Sequence, residues 1–154
     1  STGSVYHHFT NKEEIIRDLY AQSKRHMNEK LLSQVDLARG TRKLLEDYWN
    51  ARIHYNQTFP EHAKFIHAYF NSPLVQSESL IDVNAMYNPM KDRLLAAMKE
   101  HEIIELDIAF FFYDLFNACD AVTLYFETML PVPNQELTDL AFKKYWRSIV
   151  RLDL

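Results

Sequence analysis

Ile16, Leu19, Tyr20, Met27, Leu31 and Val35 recur at the spacing of one helical stripe, while Arg17, Asp18, Lys24, Arg25 and Glu29 take the other faces. This pattern predicts a long amphipathic helix ending near Asp36. Its start is marked by Asn11, an N-cap residue with Glu14 three positions on, in the capping-box arrangement. Gly40 and Thr41 restart the chain, and Leu44, Leu45, Tyr48, Trp49 and Ile53 set a second apolar stripe to about Asn56. Thr58 and Pro60 open a third helix, which Asn71-Ser72-Pro73 closes, because proline is tolerated in a first turn and disfavours helix just before itself.

Ser77 to about His101 predicts helix again, with Asn88-Pro89 either kinking it or dividing it. Asp107 to Leu130 predicts a further long helix ended by Pro131-Val132-Pro133. Asn134 opens the last, with Leu137, Leu140, Ala141, Phe142, Tyr145, Trp146 and Ile149 as its apolar positions. Only two glycines, Gly3 and Gly40, and five prolines occur, too few for the turns of a many-stranded sheet. The predicted fold class is all-α.

The last two helices carry more apolar surface than one core face needs. Ile108, Phe112, Leu115, Cys119, Val122 and Phe126 line one side of the first, and Phe111, Ala118, Ala121 and Tyr125 another. In the last helix a side of Leu137, Leu140, Tyr145 and Leu152 adjoins a side of Phe142, Trp146, Ile149 and Val150. A second copy covering the surplus predicts a homodimer with a four-helix interface built from Phe111, Ala118, Ala121, Tyr125, Phe142, Tyr145, Trp146 and Ile149. A monomer with one large core is the alternative.

Charge is mixed, 17 Lys and Arg against 21 Asp and Glu for a net −4, so the chain as a whole is no nucleic-acid coat. The single cysteine, Cys119, sits in an apolar stretch as a small buried hydrophobe, in keeping with a reducing, cytoplasmic setting. The longest apolar run, Ile108 to Tyr113, is bounded by Asp107 and Asp114 and falls short of a membrane span. Neither a signal peptide nor an initiator Met opens the chain, and its abrupt start suggests absent upstream residues. No HExxH, GxSxG, P-loop or dinucleotide fingerprint occurs, His62 and His67 lie on different helical faces, and Asp107, Asp114 and Asp120 have no His-rich partner segment. The expectation is a protein that is not an enzyme and holds no metal or cofactor.

Large apolar and amphipathic side chains fill the middle of the chain. Core packing accounts for most such positions. A pocket is the sharper alternative, with Tyr48, Arg52, Tyr55, Phe59, His62, Phe65, Ile66, Tyr69, Met86, Tyr87, Met90, Phe112 and Phe116 as its candidate lining. An effector held there is apolar or aromatic, and Arg52, His54 or Arg93 are available to pair with a carboxylate on it.

Ahead of Asn11, Ser1 is a possible N-cap and Thr2 to His8 about two helical turns. The stretch Gly3-Ser4-Val5-Tyr6-His7-His8-Phe9, followed by Asn11-Lys12-Glu13, resembles the recognition helix and following helix start of the TetR/AcrR family of bacterial transcriptional regulators; Ile15 stands where that pattern usually has Leu. The resemblance implies that residues 1–10 are the remnant of a helix-turn-helix DNA-binding domain whose first two helices are missing. Residues 11–154 are then a ligand-binding and dimerisation domain. Ser4, Tyr6, His7 and His8 are implied to enter the major groove of a palindromic operator, and Lys12 to contact phosphate. The activity implied is a repressor that leaves its operator on binding an apolar or aromatic small molecule. A solvated turn or a metal-binding His7–His8 pair are other readings of the motif, and an all-α small-molecule carrier or interaction module is the other reading of the chain.

Overall fold

The structure is a computed structural model that describes residues 10–75, 84–129, 132 and 134–151. Among these residues the chain forms α1 (Lys12–Leu32), α2 (Thr41–Thr58), α3 (Pro60–Phe70), α4 (Asn88–Lys99), α5 (Ile108–Met129) and α6 (Gln135–Ile149). The all-α class is as the sequence predicts.

Asn11 caps α1, its side chain accepting from the Glu14 N–H at 3.0 Å. The Glu14 carboxylate reaches back to the Thr10 N–H at 2.6 Å and to the Thr10 hydroxyl, one residue earlier than the capping box predicts. Those two bonds hold the carboxyl below its usual range. Asn11→Ala removes the cap acceptor and is expected to lower stability by about 1 kcal/mol. The check is a urea titration, in which an unchanged midpoint would contradict the role. At the other end α1 stops at Leu32, four residues short of Asp36. Gln34 and Val35 donate to Leu31 and Leu32 in three-residue turns, and Val35 still packs on the core, so the stripe outlasts the helix.

The predicted segment is divided, as one of the two readings of Asn88-Pro89 has it: Asn84 and Ala85 are helical, Met86 and Tyr87 form a turn, and Asn88-Pro89 opens α4, where the missing proline N–H costs nothing. The earlier part of the predicted segment, residues 77–83, lies outside the described residues. His101 ends α4 with φ 61°, in the left-handed region, and Glu102 donates to Ala97 across it at 2.9 Å. Beyond it an antiparallel bridge pairs Ile103 with Val150, so the α4–α5 connection is fastened to the end of α6. No periodicity in the sequence signals that bridge.

α2 packs against all five other helices. This explains its composition: Leu44, Leu45, Tyr48, Trp49, Ile53 and Tyr55 are all buried, together with Arg52 and Asn56. Around it lie Tyr20, Met27 and Leu31 from α1, Met90 and Leu94 from α4, Phe111, Leu115 and Cys119 from α5 and Phe142 from α6. By length and composition alone α5 is apolar enough to cross a membrane, which its six-residue apolar run did not suggest. Here its inner side is part of the core, and burial pushes the Cys119 thiol well up, leaving it inert.

Candidate functional site

Tyr48, Arg52 and Asn56 follow one another at four-residue intervals along α2, and Phe116, Asp120 and Thr123 do nearly the same along α5. Where the two helices pack, these side chains meet. Arg52 donates from Nε and Nη2 to the two carboxylate oxygens of Asp120, each at 3.0 Å, and from Nη1 to the Tyr48 hydroxyl at 3.3 Å. Asn56 donates to Asp120 at 3.3 Å and to Thr123 at 3.0 Å. The Tyr48 and Tyr87 hydroxyls are 3.1 Å apart. Burial opposes the Arg52 charge, but Tyr48 and Asp120 outweigh it and hold its pKa above the ordinary value.

α1 adds a second cation. Lys24 is 8% exposed, and its ammonium stands 5.4 Å from the centroid of the Phe116 ring, against which the Arg52 guanidinium also lies, at 4.5 Å. Among the described residues no carboxylate pairs with it. Burial, aided by the Arg52 charge and opposed by Asp120, pulls its pKa down to about 7. Tyr20, Lys24, Met27 and Leu31 form one buried row, so Lys24 belongs to the apolar side of α1 and not to the polar faces expected for it.

Of the thirteen expected pocket residues, five gather at this cluster, Tyr48, Arg52, Tyr87, Phe112 and Phe116, and Met90 lies in the core. Tyr87 packs on Phe112 at 5.5 Å and on Phe116 at 5.8 Å, and Met90 is fully buried. Three others, Tyr55, Phe59 and His62, form a separate group with His26 of α1. The Tyr55 hydroxyl is 2.8 Å from His26 Nδ1 and 3.4 Å from His62 Nδ1, and Phe59 meets the His26 ring edge-on at 5.0 Å. Phe65, Ile66 and Tyr69 close α3 onto α1, with Tyr69 stacked on Tyr20 at 4.1 Å; Met86 is half-buried beside Tyr87 in the chain.

The expected carboxylate partners are otherwise engaged. Asp120 occupies Arg52, and Arg93 donates to the Leu37 and Arg39 carbonyls of the α1–α2 connection. His54 is exposed, with Thr58 near its ring. Two open grooves lie away from the ionic cluster. One of about 520 Å³ is bordered by His54, Tyr55 and Phe59, and another of about 580 Å³ by Thr41, Arg42, Glu102 and Trp146. Lys24, Asn56, Asp120, Thr123 and His26 were not among the expected site residues. The available signal was a charged or amide residue set within an apolar row.

Of the expected DNA contacts, Ser4, Tyr6, His7 and His8 lie outside the described residues. Lys12 is exposed at the first position of α1. The expected dimer face needs correction. Phe111, Phe142, Tyr145 and Ile149 are buried inside the single chain, where Trp49 takes up Phe142 at 5.7 Å and Tyr145 at 5.6 Å. Ala118 and Trp146 are half-buried, and only Ala121 and Tyr125 are exposed. The large apolar residues that α5 turns outward are Phe110, Tyr113, Leu124, Tyr125 and Met129, 44–67% exposed, and Leu140 on α6 is 61% exposed.

Solved structures share this helical fold. A protein from Shewanella sp. PV-4 assigned by name to the TetR family of transcription regulators superposes with TM-score 0.85 at 18% identity, over 97% of this chain and 81% of its own. A TetR family transcription regulator from Marinobacter aquaeolei VT8 gives 0.85 at 14% identity, over 99% of this chain and 80% of its own. A protein of unknown function from Rhodococcus sp. RHA1 gives 0.73 at 14% identity, over 94% and 76%. No family model and no curated protein matches the chain. The expectation that the first DNA-binding helices are missing is not borne out by these likenesses. At such identities the likeness establishes architecture, and the chain has the all-α fold of these TetR-type regulators.

Proposed function

We propose that this chain is a cytoplasmic, ligand-responsive, DNA-binding transcription regulator, without enzymatic activity, that works as a homodimer and releases a palindromic operator on binding a small molecule. Residues 1–10 are its DNA-reading end, with Ser4, Tyr6, His7, His8 and Lys12 at the DNA, and residues 11–154 its ligand-binding and dimerisation domain. One observation carries the reading: α1 starts at Lys12, directly after the Gly3-to-Phe9 motif, and holds Lys24 of the buried cluster one-half of its length further on. A ligand that moves Lys24 therefore moves the helix to which the DNA reader is joined.

The exposed α5 and α6 residues Phe110, Tyr113, Leu124, Tyr125 and Leu140 support the dimer, since a row of large apolar groups in water favours a covering surface. In a dimer the two recognition helices must lie about 34–36 Å apart to meet both half-sites. A tilt of α1 changes that separation. The effector drives it only through unequal affinity for the two arrangements.

The test is retention of the intact protein on random genomic duplexes at moderate salt. One palindromic sequence is expected to be recovered, with Tyr6→Ala and Lys12→Ala each weakening binding about tenfold or more, the loss of one base or phosphate contact. Leu124→Glu is expected to yield a monomer by light scattering and to abolish selective retention. Unselective retention by the wild type would favour the other reading, an all-α small-molecule carrier, which the buried cationic cluster supports without any DNA.

A further inference from the structure

We infer that the effector is an amphiphilic carboxylate whose anionic end is received by Lys24 and whose apolar body lies along Phe112 and Phe116. The inference rests on the regulator's ligand being held between α1, α2 and α5, and it names the chemistry of that ligand.

Charge balance carries it. Arg52 and Asp120 make a closed pair: both carboxylate oxygens accept from the guanidinium, and Asn56 adds a third donor to Asp120. Asp120 is engaged by Arg52 and Asn56 and makes no bond to Lys24, on which its charge acts only as the weaker, opposing influence. The cluster therefore holds two cations and one anion, and its surplus charge sits on Lys24, a residue 8% exposed with a ring face beside its ammonium. A buried cation without a counter-ion is costly to the fold. A carboxylate is the ligand chemistry that removes this cost. Phe112 and Phe116 are only partly buried, so this side of the cluster reaches the surface and offers ring area to a hydrocarbon or aromatic body.

The arrangement also links binding to protons. Arg52 from α2 and Asp120 from α5 act on Lys24 directly; beyond them stand Tyr48, which accepts from Arg52, and Tyr20, one turn before Lys24 on α1 and stacked on Tyr69 from α3. Burial lifts the phenols, Tyr20 to about 12, so they stay neutral at physiological pH. Lys24, at about 7, is half charged near neutrality. A bound carboxylate favours the ammonium, and so above pH 7 binding takes up a proton.

The probes are decanoate and phenylacetate, with decanol as the neutral control, titrated calorimetrically into the intact protein between pH 7 and 9 in buffers of different ionisation heat. Expected are binding of at least one carboxylate, at least tenfold weaker binding of decanol, affinity falling up to about tenfold per pH unit above 7, and proton uptake at pH 8. In Lys24→Met both the carboxylate preference and the uptake disappear, which also separates Lys24 from His26 and His62. In Lys24→Arg the preference stays and the uptake is lost, because the guanidinium is always charged. Decanol binding as tightly as decanoate, wild-type affinity in Lys24→Met, or binding of neither carboxylate would each overturn the inference. Selective operator retention that persists in those cases leaves the regulator reading standing. Carboxylate binding by a protein that selects no DNA sequence keeps the site and removes the regulator.

Discussion

Asp120→Ala is expected to destabilise the protein by about 3 kcal/mol, the lower end of what breaking a buried ion pair costs. The loss is not the value of the pair itself. Arg52 is 7% exposed at its side chain and remains charged, so the substitution leaves a guanidinium in the core with its Nε and one Nη unpaired, and Asn56 loses an acceptor as well. Asp120 is 27% exposed, and water entering there offsets part of the penalty. Arg52→Met combined with Asp120→Leu should recover most of the loss, since an apolar pair of similar volume removes the orphan along with the bond. Urea titrations of the single and double variants measure this. A double variant as unstable as Asp120→Ala would show that packing, and not the stranded charge, sets the cost.

Lys24→Met should act in the opposite direction. The folded pKa of Lys24 lies at about 7 against 10.5 for a free lysine, so between those values the unfolded chain binds a proton that the folded chain does not. Stability must therefore fall as pH falls from 10.5 to 7 and level off below. Methionine carries no charge and fills similar space, and at pH 7 the variant is expected to be more stable by on the order of a few kcal/mol. The gain should shrink to nothing near pH 10.5, where lysine is neutral in both states. Unfolding curves at pH 7, 8.5 and 10 check this, and a gain that does not change with pH would show that Lys24 is not the group being relieved. The same relief is what a bound carboxylate supplies to the wild type, so the variant's stability and the ligand's affinity report one buried charge.

Much of the fold was legible in local chemistry. Asn11, Thr41, Pro60 and Asn134 lie at or beside helix starts that the structure places within a residue or two, because caps and first-turn prolines act through atoms a few positions away. Less of the site was legible. Arg52 was expected to line a pocket and pair with a ligand's carboxylate, but the carboxylate it holds is that of Asp120, 68 positions away, and no spacing within either helix pairs them. Lys24 looked like one polar residue among several on a helix surface, because a row of four residues reads the same whether the neighbouring helix covers it or water does.

The dimer face shows the same division in another form. The sequence by itself determined that α5 is apolar on more than one side and that α6 carries a stripe of large rings, since both are properties of a single helix. Which side stays outside was decided by tertiary structure alone. Trp49, at the centre of the bundle, takes Phe142 and Tyr145 into the core, and this leaves Phe110, Tyr113, Leu124 and Leu140 in water. Helix existence is encoded within a few turns of chain. Burial, charge pairing and the choice of face depend on which distant helix packs where.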